Sequence, residues 1–402
     1  MAPHPTNDAI VVGGGVIGLS IAWRAAAAGL TVTVVDPSPG RGASWAAAGM
    51  LAPVSEAHFG EEPLARLNLI AADRWPAFAR TLEDASGHPI GYLPSGTILA
   101  AVDASDRRAV ADVFAFQLSL GLEARRLSAA ECRALEPLLA PGVRGGVEFC
   151  LDHQVDNRRL VQALMAACAA VGVTMVDDTV VAVEATGDRV SGVSLSRGDT
   201  LASHQVVVAA GCRSGQLGGV PPAAVPPVRP VKGLTLRLQA PEDGPALRRT
   251  VRGMVHGRDC YLVPRTDGSV VVGATVEEKG FDLVVQVGAV HDLLADARAL
   301  VPALDEYGLV DTTTGLRPGS PDNAPIVGAT VMSGLTVATG HYRNGILLAP
   351  VTAEAVVALL LGGAVPECLA PFGLDRFDRL DLSGPSGPSH RATGTPTVER
   401  AG

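Results

Sequence analysis

The chain has 402 residues, of which 47% are apolar and 18% charged, and carries a net charge of −9. That length exceeds one ordinary compact domain and leaves ample chain for a large core. No apolar run approaches the ~20 residues that cross a bilayer, and an acidic chain without a basic, aromatic-interleaved cluster offers no footprint for nucleic acid.

Lysine occurs only at Lys232 and Lys279, which leaves a Schiff-base mechanism few candidates. The first residues lack a basic segment followed by an apolar stretch, so no export signal is expected. Cys132, Cys150, Cys168, Cys212, Cys260 and Cys368 show no metal-type spacing. They read as reduced, buried small residues of a cytoplasmic protein, with no metal site.

The chain opens with an apolar run at 9–12, a turn Gly13-Gly14-Gly15-Val16-Ile17-Gly18, a helix predicted over 16–28, and a β-branched strand over 31–35. Asp36 ends that second strand, 36 − 13 = 23 positions after the first glycine, where a carboxylate can take a ribose hydroxyl. Each glycine has a reason: Gly13 for the tight turn, Gly15 for backbone approach to phosphate, and Gly18 for close packing of helix on strand. The helix N-terminus then faces a pyrophosphate with its partial positive charge. The carboxylate argues against a 2′-phosphate and so against NADP, while NAD and FAD both remain open at this point.

The next segment, 41–50, is built of small residues. It reads either as backbone approaching a large flat ligand or as a flexible Ala/Gly loop. Strand-like runs follow at 92–102 and across 234–276, with Tyr261 to Arg265 and Ser269 to Gly273 predicted as a hairpin about Thr266-Asp267-Gly268. Between them, 157–171 reads as a helix, and 172–183 and 205–209 as buried strands. The dinucleotide domain is therefore predicted to be discontinuous. A strand over 335–338, a loop Thr339-Gly340-His341-Tyr342-Arg343-Asn344-Gly345, and an apolar helix from about 346 to 361 come next. That helix would aim its positive end at the negative charge of a reduced flavin. Residues 383–402 are rich in Gly, Ser, Pro and Thr and read as a disordered tail.

GGGVIG with Asp36, AAAGM ending at Met50, DCYLVPR from Asp259, VVVGAT from Val270, GLRPGSPDNAPIVG from Gly315 and GHYRNGILLAP from Gly340 together resemble the D-amino acid oxidase family of flavoproteins, in particular glycine oxidases of the thiamine pathway. The resemblance runs from about Ala9 to Leu361, and its last two motifs are the most specific. It implies an α/β (α+β) fold: a Rossmann-like FAD domain from 1–85, 145–215 and 310–382, and an antiparallel sheet domain from 86–144 and 216–309 that binds substrate. It also implies noncovalent FAD held at Gly13, Gly15, Val16, Ile17, Gly18, Asp36, Pro37, Ala43, Ser44, Ala48, Gly49, Met50, the backbone of Val180, and the loop His341, Tyr342, Arg343, Asn344, Gly345, Ile346 and Leu347.

By the same resemblance, Arg317 binds the substrate carboxylate, with Tyr261, Arg343 and Met50 in its pocket. A guanidinium is a planar two-pronged donor that matches a carboxylate. Dioxygen is the expected acceptor, glycine, sarcosine and small D-amino acids the expected substrates, and a homo-oligomer such as a tetramer the expected assembly. No side chain is expected to act as acid or base, and His341 reads as a packing residue at the flavin edge. A dehydrogenase with another acceptor, a flavin-binding scaffold and a NAD dehydrogenase are the competing readings. Ala43 and Ser44 occupy positions where the family often has hydroxyl residues near the phosphates, so one side-chain hydrogen bond there is expected to be lost or replaced.

Overall fold

The computed structural model describes residues 7–377; residues 1–6 and the tail expected at 383–402 lie outside them. A six-stranded sheet runs in the order Ile326–Ala329, Leu335–Thr339, Val206–Val208, Ala9–Val12, Val32–Val35, Thr174–Val176. All its pairings are parallel except the first. Ala9–Val12 and Val206–Val208 are buried at every residue, which is why they read as unbroken apolar runs: a parallel strand covered on both faces has no solvent side.

Four helices, Val16–Ala27, Glu62–Ser86, Asn157–Ala170 and Ala349–Leu360, pack into one core on this sheet. A second core joins the sheet to an antiparallel trio, Val180–Thr186, Arg189–Leu195 and Thr200–Ala202.

The other large layer is an eight-stranded sheet. Its order begins Gly308–Gly319, Arg229–Gln239, Ser269–Gly273, Arg258–Pro264, Thr250–Val255, and continues with Thr97–Ala101, Gly146–Phe149, Arg125–Leu127. Every pairing is antiparallel but one, Thr250–Val255 beside Thr97–Ala101. The helix Val287–Leu300 closes the core of one face, and Ala104–Ser119 contributes to a smaller core with Val54, Leu99 and Phe149. The architecture is the α/β (α+β) one expected, and among the described residues no helix is long and apolar enough to cross a membrane.

Several local expectations change. The run at 172–183 is two strands, Thr174–Val176 in the six-stranded sheet and Val180–Thr186 in the antiparallel trio, because composition marks burial without marking which sheet receives it. The last helix starts at Ala349, not near 346. Its Pro350 has no N–H to give and fits the first turn, while 341–348 form turns closed by Asn344 N–H to His341 O and Leu348 N–H to Asn344 O. Cys132, Cys168 and Cys260 are buried, but Cys150 is exposed and Cys212 and Cys368 are half-buried, so the uniform expectation of buried cysteines is corrected.

Candidate active site

The glycine turn is fixed by close approach. Gly13 has φ +108°, and a Cβ there would lie 2.4 Å from Ala209 O. A Cβ on Gly18 would lie 1.9 Å from Gly13 O, so both positions exclude any side chain. Gly15 differs: an added Cβ would meet only Ser44 Oγ, at 3.3 Å, and the space beyond is open. The helix Val16–Ala27 starts there with no side-chain cap and no acidic residue in its first turn. Ser44 Oγ accepts the Val16 N–H at 2.9 Å, so this hydroxyl does meet the phosphate-binding turn. Asp36 accepts the Gly14 N–H at 2.7 Å and, through its other oxygen, the Ser38 N–H at 2.7 Å. An uncapped helix N-terminus over open space with a carboxylate beside it fits a dinucleotide pyrophosphate and ribose. Val180 begins the strand after Thr174–Val176, whose last carbonyl accepts the Asp36 N–H at 3.1 Å, which puts it on the Asp36 side.

The small-residue segment is strapped down rather than loose. Asn157 Nδ2 donates to the carbonyls of Ser44 and Trp45 at 2.8 and 3.0 Å, and the Trp45 ring lies near both Arg41 and Arg158. Arg265, the last residue of DCYLVPR, donates to Ala48 O at 2.6 Å and Gln154 Oε1 at 2.7 Å. Gly49 has φ +75°, and a Cβ there would lie 1.9 Å from Val155 O. The backbone of Ala48, Gly49 and Met50 is thus held at fixed depth, as close approach to a flat ligand requires.

Met50 and Tyr261 pack on Ala48, Val263 and Val271. Two strand glycines make room for the polar groups beside them. A Cβ on Gly273 would lie 2.5 Å from the Tyr261 ring, and one on Gly233 would lie 2.4 Å from Arg317 Nη1. Arg317 donates to Thr275 O at 3.1 Å. Burial raises the Tyr261 hydroxyl pKa above its ordinary value while the Arg317 charge pulls it back, which keeps the tyrosine protonated.

The loop of 340–345 docks onto the same strand end, with Tyr342 N–H to Pro318 O at 3.0 Å and His341 bridged to Gly319. His341 is buried; its Nε2 lies 3.0 Å from Thr352 Oγ1, and burial holds its pKa down at about 3. A neutral histidine tied to the following helix is a fixing point, not a ready base. Trp75 Nε1 donates to Leu347 O at 2.8 Å, pinning the far end of this stretch.

The fold therefore gathers Met50, Tyr261, Arg317 and Arg343 at one end, while Asp36 and Ser44 bond to the glycine turn at the start of the helix Val16–Ala27. Sequence reading missed Glu56 and Arg252. Arg252 pairs across strands with Tyr261, so their side chains share a face, and its Nη1 lies 2.5 Å from Glu56 Oε1. Arg343 Nε lies 3.6 Å from Glu56 Oε2. Burial raises the Glu56 pKa, but Arg252, Arg343 and His58 outweigh it and hold the carboxyl at about 2. A lone arginine inside the apolar strand TVRGMV is the one signal that could have pointed there.

Residues 8–359 match the family described as FAD dependent oxidoreductase. The bifunctional protein ThiO/ThiG of Trichormus variabilis is 35% identical over 94% of this chain and 56% of its own length, so the chain spans about half of that relative. The glycine oxidase of Geobacillus kaustophilus is 34% identical over 92% of this chain and 97% of its own. Its crystal structure superposes with a TM-score of 0.84, covering 92% of this chain and 99% of that one at 33% identity.

Proposed function

The chain belongs to the FAD-dependent oxidoreductase family, an enzyme family of amino acid oxidation with FAD as cofactor, and from that premise we propose that it oxidises glycine, with sarcosine and small D-amino acids as further substrates. Dioxygen is the acceptor in this reading. The carbon–nitrogen bond becomes an imine, which water converts to the 2-oxo acid and ammonia while the oxygen leaves as hydrogen peroxide. The observation that carries the reading is Arg317 with its guanidinium against Gly233, beside Tyr261 lying on Gly273. A strand glycine below each side chain leaves room for the guanidinium and the phenol side by side on one face of the sheet.

When bound, FAD would supply the acceptor for hydride from the substrate Cα. The chain's part is to hold the substrate. Arg317 takes the carboxylate with two parallel N–H groups, Tyr261 donates its protonated hydroxyl beside it, and Met50 with Ala48 lines the apolar side. Orientation of this kind lowers the barrier by removing translational and rotational freedom before reaction. Neutral His341 keeps the loop in place and moves no proton. The open space over Gly15, the Ile17 amide and Asp36 would hold the pyrophosphate and ribose, beside the Ser44 hydroxyl that takes the Val16 amide.

The proposed role is delivery of the glycine imine to thiazole assembly in thiamine synthesis, which the relative named ThiO/ThiG supports, and the cytoplasm is the proposed location. A homo-oligomer is the proposed assembly, checked by sedimentation. Peroxide release from glycine, sarcosine and D-alanine by the purified flavoprotein tests the activity; no peroxide from any of them overturns it. Turnover with an artificial acceptor but negligible oxygen uptake would make the protein a dehydrogenase instead.

A further inference from the structure

Beside Tyr261 and Arg343 stands one buried acid, Glu56, whose second oxygen has a cation near it but no hydrogen-bond donor among the described residues. Glu56 is 9% exposed. Its Oε1 is engaged by Arg252, but its Oε2 has no hydrogen-bond partner among the described residues. Arg343 Nε, at 3.6 Å, is beyond hydrogen-bond reach. A buried acceptor left open is costly unless something outside the chain satisfies it.

The oxygen is also held in place. Asp152 accepts the Val54 and Ser55 N–H groups at 2.9 Å each, Gln117 Nε2 donates to Val54 O at 3.1 Å, and Arg252 also reaches Ser55 Oγ at 3.0 Å. The turn carrying Glu56 is thus fixed from three sides. Arg252 is the cross-strand neighbour of Tyr261, so this fixed carboxylate stands on the same face as the Tyr261–Arg317 shelf. Its low pKa leaves it ionised at any working pH.

Resting on the amino acid reading above, we propose that Glu56 receives the substrate's amino group, so that a zwitterion is gripped at both ends: carboxylate on Arg317, nitrogen on the free oxygen of Glu56. An amino acid then satisfies the pocket's guanidinium and its orphan acceptor together, while a hydroxy acid of the same size satisfies only the first. The specificity is for the amine, not merely for a small acid. Two neighbours compete for the role. Asp259 lies two residues before Tyr261 on the same strand but is exposed, and His58 also has a buried nitrogen, Nε2, without a partner.

The test compares glycine with glycolate, which keeps the carboxylate and replaces the ammonium by a hydroxyl. In Glu56→Gln holoenzyme the KM for glycine should rise about tenfold or more, as expected for loss of a charged hydrogen bond, while the inhibition constant of glycolate stays within about twofold. Glu56→Asp, which keeps the charge but draws it back, should fall between the two and serves where Gln disturbs folding. Asp259→Asn and His58→Gln should leave the glycine-to-glycolate ratio unchanged. A parallel rise for both ligands would mean that Glu56 only positions Arg252 and Arg343, and a ratio that moves in Asp259→Asn or His58→Gln instead would assign the amine to that residue; either result overturns the proposal. A wild type that oxidises no amino acid overturns the functional reading separately, and the same ratio is then read from ligand-induced changes in the bound-flavin spectrum.

Discussion

Arg317 has its place because Gly233 has no side chain. With a Cβ on Gly233 the guanidinium would be 2.4 Å away, closer than real contacts allow, and the side chain must swing off its shelf. Gly233→Ala should therefore fold and keep FAD yet lose substrate binding, approaching Arg317→Ala. Loss of a charged hydrogen bond of about 2–3 kcal/mol corresponds to a KM for glycine raised roughly 30- to 160-fold. Steady-state peroxide assays on both variants decide it, and unchanged kinetics in Gly233→Ala would remove that shelf from the substrate site. Asp36 makes a different prediction. It already accepts the Gly14 and Ser38 amides, so Asp36→Ala removes a ribose acceptor and loosens the turn together. FAD titration of the apoprotein should show a dissociation constant raised about tenfold or more; full retention would count against the ribose assignment.

At the scale of elements, the loop of 340–345 and the helix Ala349–Leu360 act as a unit through His341 and Thr352. The folded-state pKa of His341, about 3, lies below its ordinary 6.5. Protonation therefore favours the unfolded chain: stability is full above about pH 6.5 and is lost as pH falls toward the folded pKa. Between pH 6.5 and 5 the loss from this one group is roughly 2 kcal/mol, at about 1.4 kcal/mol per unit. A His341→Asn variant, still able to bond Thr352, should show a melting temperature less sensitive to acid across that range. Equal sensitivity in both proteins would mean that the loop admits water to the ring. These elements were largely legible in the sequence. The strand, glycine turn, helix, strand and Asp36 form one local unit, in which each residue type answers a need of its immediate neighbours. Tyr261, Arg317 and Arg343 were found through motif resemblance. Glu56, Arg252 and Arg265 were not, because their partners are remote: Glu56 meets Arg252 and Arg343, and Arg265 meets Ala48 and Gln154. No window of sequence contains such a pair. The late start of the last helix shows the reverse limit, since apolar composition at 346–348 suits a buried turn as well as a helix.

Across the whole molecule, the seam between the two large sheets is bridged by arginines, Arg265 buried and Arg237 and Arg158 half-buried. Arg265 reaches from the eight-stranded sheet to Ala48 and Gln154. Arg237 donates to Asn157 Oδ1 at 2.9 Å, and Arg158 to Asp311 Oδ2 at 2.5 Å. Arg265 is 6% exposed, and burial lowers its pKa to about 10 even with Asp156 nearby, so it remains charged at neutral pH. Such a group adds little net stability when fully bonded but costs much when a partner is lost. Here its bonds fix the Ala48–Gly49–Met50 backbone, the segment proposed to face the cofactor. Replacing it by methionine keeps volume and removes the bonds, at about 2–4 kcal/mol. Each sheet has its own core, so Arg265→Met should stay folded while binding FAD more weakly. Ligand stabilisation grows with the ratio of free FAD to its dissociation constant, reaching about 2.7 kcal/mol at a hundredfold excess. At a fixed FAD concentration the rise in melting temperature from apoprotein to holoprotein should therefore be smaller in Arg265→Met than in wild type. An equal rise with a lower baseline would make Arg265 a stabiliser of the seam alone, with no hold on the flavin segment.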